Sequence, residues 1–206
     1  MNLLLLCIFI LGLSSPLLAL EPYSGELPPA AHTRLQSLAR PLTLLGDFTE
    51  SRFTPLKKTA VVVTGTVRID RARGLSLTYT QPRAPVVILD EQGLLLRHPD
   101  GREQTAPAEA TTDLRLLHAL FVFDLATLEK SYALSATENS DNSWALVFTR
   151  RPEAVSTYRE LTLMGQADRL TRIILTKTPR LRTELALAPP QLDPRFSPEE
   201  LTRYFR

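Results

Sequence analysis

The chain is poor in the residues that most site chemistry requires. Of its 206 residues, one is cysteine, three are histidine and one is tryptophan. A single cysteine excludes an intrachain disulfide. It is Cys7, inside an apolar leader, so the chain behind it has no thiolate nucleophile and no cysteine-bound metal. His32, His98 and His118 are not at ligand spacing from one another. His118 falls on an apolar helical stripe, where a packed histidine fits better than a ligand. No Gly-x-Ser-x-Gly, His-Glu-x-x-His, glycine-rich phosphate loop or Asp-rich calcium loop occurs. Asp90-Glu91 and Glu199-Glu200 read as turn and cap residues rather than paired catalytic carboxylates. The expectation is a protein that is not an enzyme and takes no metal and no cofactor.

Charge of one sign is also scarce. The formal net charge is +2, and every basic residue except Lys57, Lys58, Lys130 and Lys177 is an arginine. The arginines are scattered, with no basic block and no aromatic interleaving. That pattern argues against nucleic acid as a partner. No repeat at solenoid periods is present.

The one long apolar run is N-terminal. Residues 3–20 are apolar apart from Gly12, Ser14, Ser15 and Pro16, and the first charged side chain is Glu21. An apolar core, a proline-broken end and small residues near Ala19 read as a signal peptide over residues 1–20, cleaved near Ala19. About 18 apolar residues also just span a bilayer, so an uncleaved anchor is the alternative. Cys7 is followed by apolar residues rather than a polar tether, which argues against lipidation there. Residues 21–206 then form one exported domain, large enough for a sizeable core. A monomer is expected.

What is present is a succession of short strands. Val61, Val63, Val67 and Ile69 alternate with Thr64, Thr66 and Arg68, which makes one apolar face and one wetter face. Leu75, Leu77 and Tyr79 repeat the pattern. Val86–Leu89 and Leu94–Leu96 follow after tight turns. Strands joined this closely are antiparallel, because a parallel crossover needs a dozen residues or more. Gly46–Phe53 reads as a further strand. Phe48 and Phe53 are on opposite parities there, and a bulge between them is expected.

The period then switches. Leu114, Leu117, His118 and Phe121 fall on one helical stripe behind a Thr-Thr-Asp cap. Asp124 caps a second short helix, Leu125–Lys130. Strands resume at Tyr132–Thr137. Trp144, Leu146 and Phe148 share a face, as do Leu161 and Leu163. Leu170–Thr178 and Arg182–Leu187 complete the set. A first helix is predicted over Ala30–Ala39 and a last one behind Ser197-Pro198-Glu199-Glu200, a capping box. The fold class is mainly β (α+β): one strongly curved antiparallel sheet with helices on a single face.

These residues resemble a known family. The run Gly65-Thr66-Val67-Arg68-Ile69-Asp70-Arg71, then Leu75–Pro82, is similar to the periplasmic lipoprotein carrier proteins of Gram-negative bacteria, the LolA-like group. Val86–Asp90 with Gly93, Phe48-Thr49-Glu50, and Leu187 with Pro189-Pro190 match further elements in order. Ala72 departs from the family's Arg-Pro pair, the usual tryptophan of the third strand is replaced near Leu77 or Tyr79, and a C-terminal helix is added. The chain is identified as a divergent member.

The resemblance implies an incomplete antiparallel barrel with helices as a lid over an apolar cavity for acyl chains. It places Phe48, Val61, Val63, Val67, Ile69, Leu75, Leu77, Tyr79, Leu117, Phe121, Trp144, Leu146, Phe148, Leu161 and Leu163 at that cavity. By alternation alone, most of the same residues make an ordinary packed core. The family's lid-controlling arginine falls on Arg71, with Arg73 as the competing assignment. The function implied is a periplasmic carrier or chaperone. It would take an acylated lipoprotein or lipid from an inner-membrane transporter and deliver it toward an outer-membrane acceptor. The alternative is a lipid- or lipoprotein-sensing module on the same scaffold, acting through a membrane partner.

Overall fold

A computed structural model describes residues 29–80, 84–106 and 111–206. The leader with Cys7, the signal-peptide reading and residues 81–83 of the tight turn expected before Val86 lie outside the described residues.

The chain builds one open antiparallel sheet. Its strands are β1 (Thr43–Phe53), β2 (Val61–Asp70), β3 (Gly74–Tyr79), β4 (Val86–Asp90), β5 (Gly93–Arg97), β6 (Glu103–Thr105), β7 (Tyr132–Glu138), β8 (Ser143–Arg150), β9 (Glu160–Gln166), β10 (Arg169–Thr178), β11 (Leu181–Leu187) and β12 (Gln191–Leu192). The helices are α1 (Pro29–Ala39), α2 (Thr111–Val122), α3 (Leu125–Glu129) and α4 (Pro198–Tyr204). The sheet order is β6-β5-β4-β3-β2-β1-β11-β10-β9-β8-β7, with β12 also on β1. Two meanders therefore meet at the β1–β11 seam, and α2 and α3 connect the two outermost strands.

The sheet must be curled. Leu89 on β4 and Leu134 on β7 belong to one buried cluster. They are eight ladder steps apart, which at about 4.8 Å a step would be nearly 40 Å in a flat sheet. The cluster also takes Leu35 from α1 and Leu116, Leu120 and Phe121 from α2, so these helices fill the inside of the curl. Two glycines make room for inward aromatic rings. A Cβ on Gly65 would lie 2.8 Å from the Phe48 ring, and one on Gly165 would lie 2.1 Å from the Trp144 ring.

The α4 helix packs on the opposite face. The Arg68 guanidinium lies 3.8 Å from the Tyr204 ring centre. Arg97 donates to the carbonyls of Thr202, Arg203 and Phe205 at the end of α4. Arg206 pairs with Asp90 at 2.9 Å. Arg68, Ser76, Ile88 and Leu95 are opposite one another across β2–β5, on the face away from the main core. Ile88 and Phe205 are almost fully buried there. The expectation that all helices share one face is thus corrected: the C-terminal helix covers outward apolar residues that alternation alone assigns to solvent.

The expected bulge in β1 is also absent. β1 keeps one unbroken register with β2 from Thr43↔Asp70 to Arg52↔Val61. Phe48 simply faces inward and Phe53 outward, where Arg182 stacks on it at 3.8 Å.

Candidate functional site

Interrupted pairing along β1 opens a hollow. Its far half pairs with β11, from Phe48↔Leu187 to Phe53↔Arg182, and its near end pairs with β12 at Leu44↔Leu192 and Leu45↔Gln191. Ala188-Pro189-Pro190 lies between. Proline has no backbone N–H to give a ladder, so the edge swings away at this point. Gly46 faces inward opposite Val67 and contributes no side chain. The result is a cavity of about 250 Å³ under the ends of α1 and α2. Its walls are mostly apolar: Leu38, Leu44, Val67, Ile69, Leu120, Phe121, Phe123, Leu170, Ile173, Leu187 and the two prolines among them. Asp47, Asp168 and Arg169, all exposed, stand among the lining residues.

One arginine holds the helices over this hollow. Arg71 lies just past β2, and its guanidinium donates to the carbonyls of Leu38 in α1 (3.0 Å), Pro41 after α1 (2.7 Å) and Val122 at the end of α2. The α2 terminus explains why that carbonyl is free. Asp124 N–H donates to Ala119 and Phe123 N–H to Leu120, which satisfies two of the last carbonyls of the helix and leaves Val122 for Arg71. Phe123 takes φ +59°, a position that favours glycine. Its ring lines the cavity, and the Arg71 guanidinium lies 5.6 Å from its centre. Burial lowers the Arg71 pKa, yet an arginine stays cationic, and three carbonyl dipoles face the charge. Arg73 instead lies 3.7 Å from Asp70, half exposed.

The other end of α2 is tied differently. Asp113 accepts from Ser156 Oγ (2.8 Å), Thr157 N–H (3.0 Å) and the Thr157 hydroxyl. Burial acts to raise this carboxyl, but the bonds from Thr157 and Ser156 and the Lys177 charge bring it below its ordinary value. On the inner face at that same end, Glu50 is buried. Arg52 holds it with two bonds (2.6 and 3.0 Å), and Tyr79 Oη donates to it at 2.8 Å. Burial, then the Glu50 charge, pushes the Tyr79 hydroxyl up to about 12.

Of the apolar residues expected at a cavity, Val67, Ile69 and Phe121 line it. Phe48, Val63, Leu75, Trp144, Leu146, Phe148, Leu161 and Leu163 are buried in the packed interior. Leu77, Tyr79 and Leu117 are half-buried against that interior, and Val61 is half-buried at the start of β2. Sequence reasoning missed Leu44, Leu170, Ile173 and Phe123 as lining. The inward parity of Leu44 with Phe48 was the available signal for the first. Among the described residues, no group of three or more His, Cys, Asp or Glu is placed to hold a metal ion. Nor is any described helix long and apolar enough to cross a membrane.

The family model for the outer membrane lipoprotein carrier protein LolA matches residues 41–200. The chain belongs to the LolA family. A comparison with curated proteins finds no significant match. Solved structures do match. A LolA superfamily protein from Nitrosomonas europaea is 14% identical, with 83% of this chain and 96% of that one covered and a TM-score of 0.46. A DUF1329 family protein from Desulfovibrio piger is 10% identical, with 82% and 92% covered and a TM-score of 0.44. MucB is 16% identical, with 84% and 62% covered and a TM-score of 0.47. The LolA match takes in every element from β1 to β12 and the first residues of α4. Arg71, its partners Pro41 and Val122, and the β1 wall of the hollow fall within it, while Leu38 and the rest of α1 precede it.

Proposed function

We propose that this LolA-family chain is an exported periplasmic carrier that binds the acyl part of a lipoprotein or lipid under α1 and α2. An inner-membrane transporter would load it, and an outer-membrane acceptor would relieve it. The observation that carries this reading is an apolar hollow closed by two helix ends that hang on one arginine. A dry concave wall needs no exact hydrogen-bond geometry to hold a tail, because each methylene taken from water contributes about 0.8 kcal/mol. Release needs a closure of modest strength, and charge-assisted bonds to carbonyls supply a few kcal/mol.

Native mass spectrometry of the exported protein, with lipid extraction, tests the reading. Co-purifying acyl species are expected. A protein that emerges empty and takes up no acylated ligand on incubation would sink it.

Arg71 is proposed to control the closure. Cargo wide enough to hold the helices apart competes with its three bonds. Removing about 2 kcal/mol of closure should tighten retention of such cargo about thirtyfold. Arg71→Leu is therefore expected to hold a tri-acylated lipopeptide more tightly and pass it to acceptor vesicles more slowly. Unchanged retention and transfer would remove Arg71 from the site.

A further inference from the structure

The near end of β1 carries α1, so the wall of the hollow depends on how that joint is held. On one side β1 pairs with β2, from Thr43↔Asp70 onward. On the other side its pairing with β11 stops at Phe48↔Leu187. Among the described residues only β12 continues it, at Leu44↔Leu192 and Leu45↔Gln191.

The residue after β12 adds a grip. Asp193 N–H donates to the Thr43 carbonyl at 2.9 Å, and its carboxylate accepts from Leu42 N–H at 2.8 Å and Thr43 N–H at 3.4 Å. The Thr43 hydroxyl donates to the Pro194 carbonyl at 2.7 Å. Asp193 takes φ +52° here, a strained position that aspartate tolerates better than most residues. Leu42 is thus held from both sides through its main chain alone. Asp193 takes its N–H, the Arg71 main-chain N–H donates to its carbonyl at 3.0 Å, and its side chain is exposed. The Arg71 guanidinium ties Pro41 and the end of α1, one step earlier. Letting go of those bonds leaves the grip of Asp193 in place. The three residues between α1 and β1 are short and lie at element ends, as hinges commonly do.

The segment that carries Asp193 is fastened far from the hollow. It runs on into α4 on the opposite face of the sheet, where Phe205 is buried, Arg97 donates to three carbonyls and Arg206 donates to the Gly93 carbonyl at 3.0 Å.

We infer that Asp193 is the outer pin of the α1 hinge, set in place by α4. It keeps Leu42 to Leu44 on the sheet while α1 swings, so opening is confined to the helices and the β1 wall stays whole. Asp193 is a positioning residue and does not line the hollow. This regulates the closure described above and rests on the carrier reading.

Two measurements on the full exported chain test the pin: residue-resolved amide exchange, and release of a preloaded tri-acylated lipopeptide into phosphatidylcholine vesicles with no acceptor protein. Asp193→Gly removes the carboxylate at no conformational cost, since glycine takes positive φ freely. Exchange at Leu42 and Thr43 should rise about tenfold, as for one lost bond to a carboxylate. Release should speed about threefold, the opposite of the slower transfer expected of Arg71→Leu. Asp193→Asn, whose amide oxygen accepts the same bond, should restore both. Arg97→Leu, on the far face, should speed Leu42 exchange about threefold. Thr43→Val, which removes the bond to Pro194, carries the same threefold expectation if Asp193→Gly folds poorly. Unchanged Leu42 exchange in Asp193→Gly, release that does not speed, or no rescue by Asp193→Asn would overturn the pin. Leu42 exchange indifferent to Arg97→Leu would overturn its link to α4. A parent chain that takes up no lipopeptide would overturn the carrier reading instead, and the exchange results then decide the hinge by themselves.

Discussion

The two ends of α2 rest on the same sheet and are finished in opposite ways. At its N-terminus the carboxylate of Asp113 receives three bonds from Ser156 and Thr157. At its C-terminus the cation Arg71 donates to a free carbonyl. Each charge opposes the partial charge of its own helix end. The space beneath differs as well. Under the Asp113 end, Phe148 and Tyr132 are fully buried, and the Glu50–Arg52–Tyr79 cluster supplies part-buried polar bonds. Under the Arg71 end, Gly46 and the two prolines leave a void. The lesson is that one helix can be tied over a packed interior at one end and over a hollow at the other, and on the proposed reading only the second end opens.

Truncation of the filled end should give the largest effect. Phe148→Ala is expected to cost about 3–5 kcal/mol in urea unfolding, from lost transfer energy and a new cavity. Leu44→Ala, at the edge of a hollow already present, should cost about 1 kcal/mol, since fewer contacts are lost. Equal losses would erase the contrast in packing. Next in size is Arg71→Leu, expected to lower stability by about 2 kcal/mol. It should also speed amide exchange at the ends of α1 and α2 while the start of α2 stays protected. Faster exchange along the whole of α2 would mean that the two ends are not independent.

Asp113→Asn should cost about 1–2 kcal/mol at neutral pH. Its folded carboxyl is held below the ordinary value. The contribution is therefore fully present above the unfolded carboxylate pKa of about 4, and it is lost as pH falls through the lower folded value. The gap between variant and parent should close in acid, whereas the Arg71→Leu gap should not follow that course. A gap that stays constant into acid would remove Asp113 as the anchor. Tyr79→Phe is the smallest change, about 1 kcal/mol for one hydrogen bond to Glu50. Its raised hydroxyl, at about 12, makes this contribution complete below the ordinary tyrosine pKa of about 10 and lost as pH rises through the folded value. The parent should therefore lose an alkaline increment of stability that the phenylalanine variant never had.

Much of the architecture was legible along the chain. The alternation in β2, β3, β8 and β9 and the helical stripe of α2 report which side chains share a face, and a face with that much apolar surface must be covered. The Ser197–Glu200 capping box forms as read, with both reciprocal bonds. Short pairings were not legible. Glu103–Thr105 is exposed throughout, and Gln191–Leu192 is only two residues long. Neither carries an apolar period, because each is held by its neighbour strand rather than by burial. The site was only half legible. Arg71 could be picked out by resemblance, while Arg73 stayed a rival, since nothing local says which guanidinium meets three carbonyls from the ends of two distant helices.

By itself, then, the order of residues determined strand, turn and helix, the inward parity of the apolar set, and the absence of cysteine from the described region. Those properties follow from backbone periodicity and side-chain chemistry that act within a few residues. Tertiary structure alone decided where the interior is filled and where it stays hollow. The hollow depends on Gly46, Pro189, Phe123 and Leu170, which come from four separate stretches of chain. Whether their volumes close a gap is a property of their final positions and of no one of them alone.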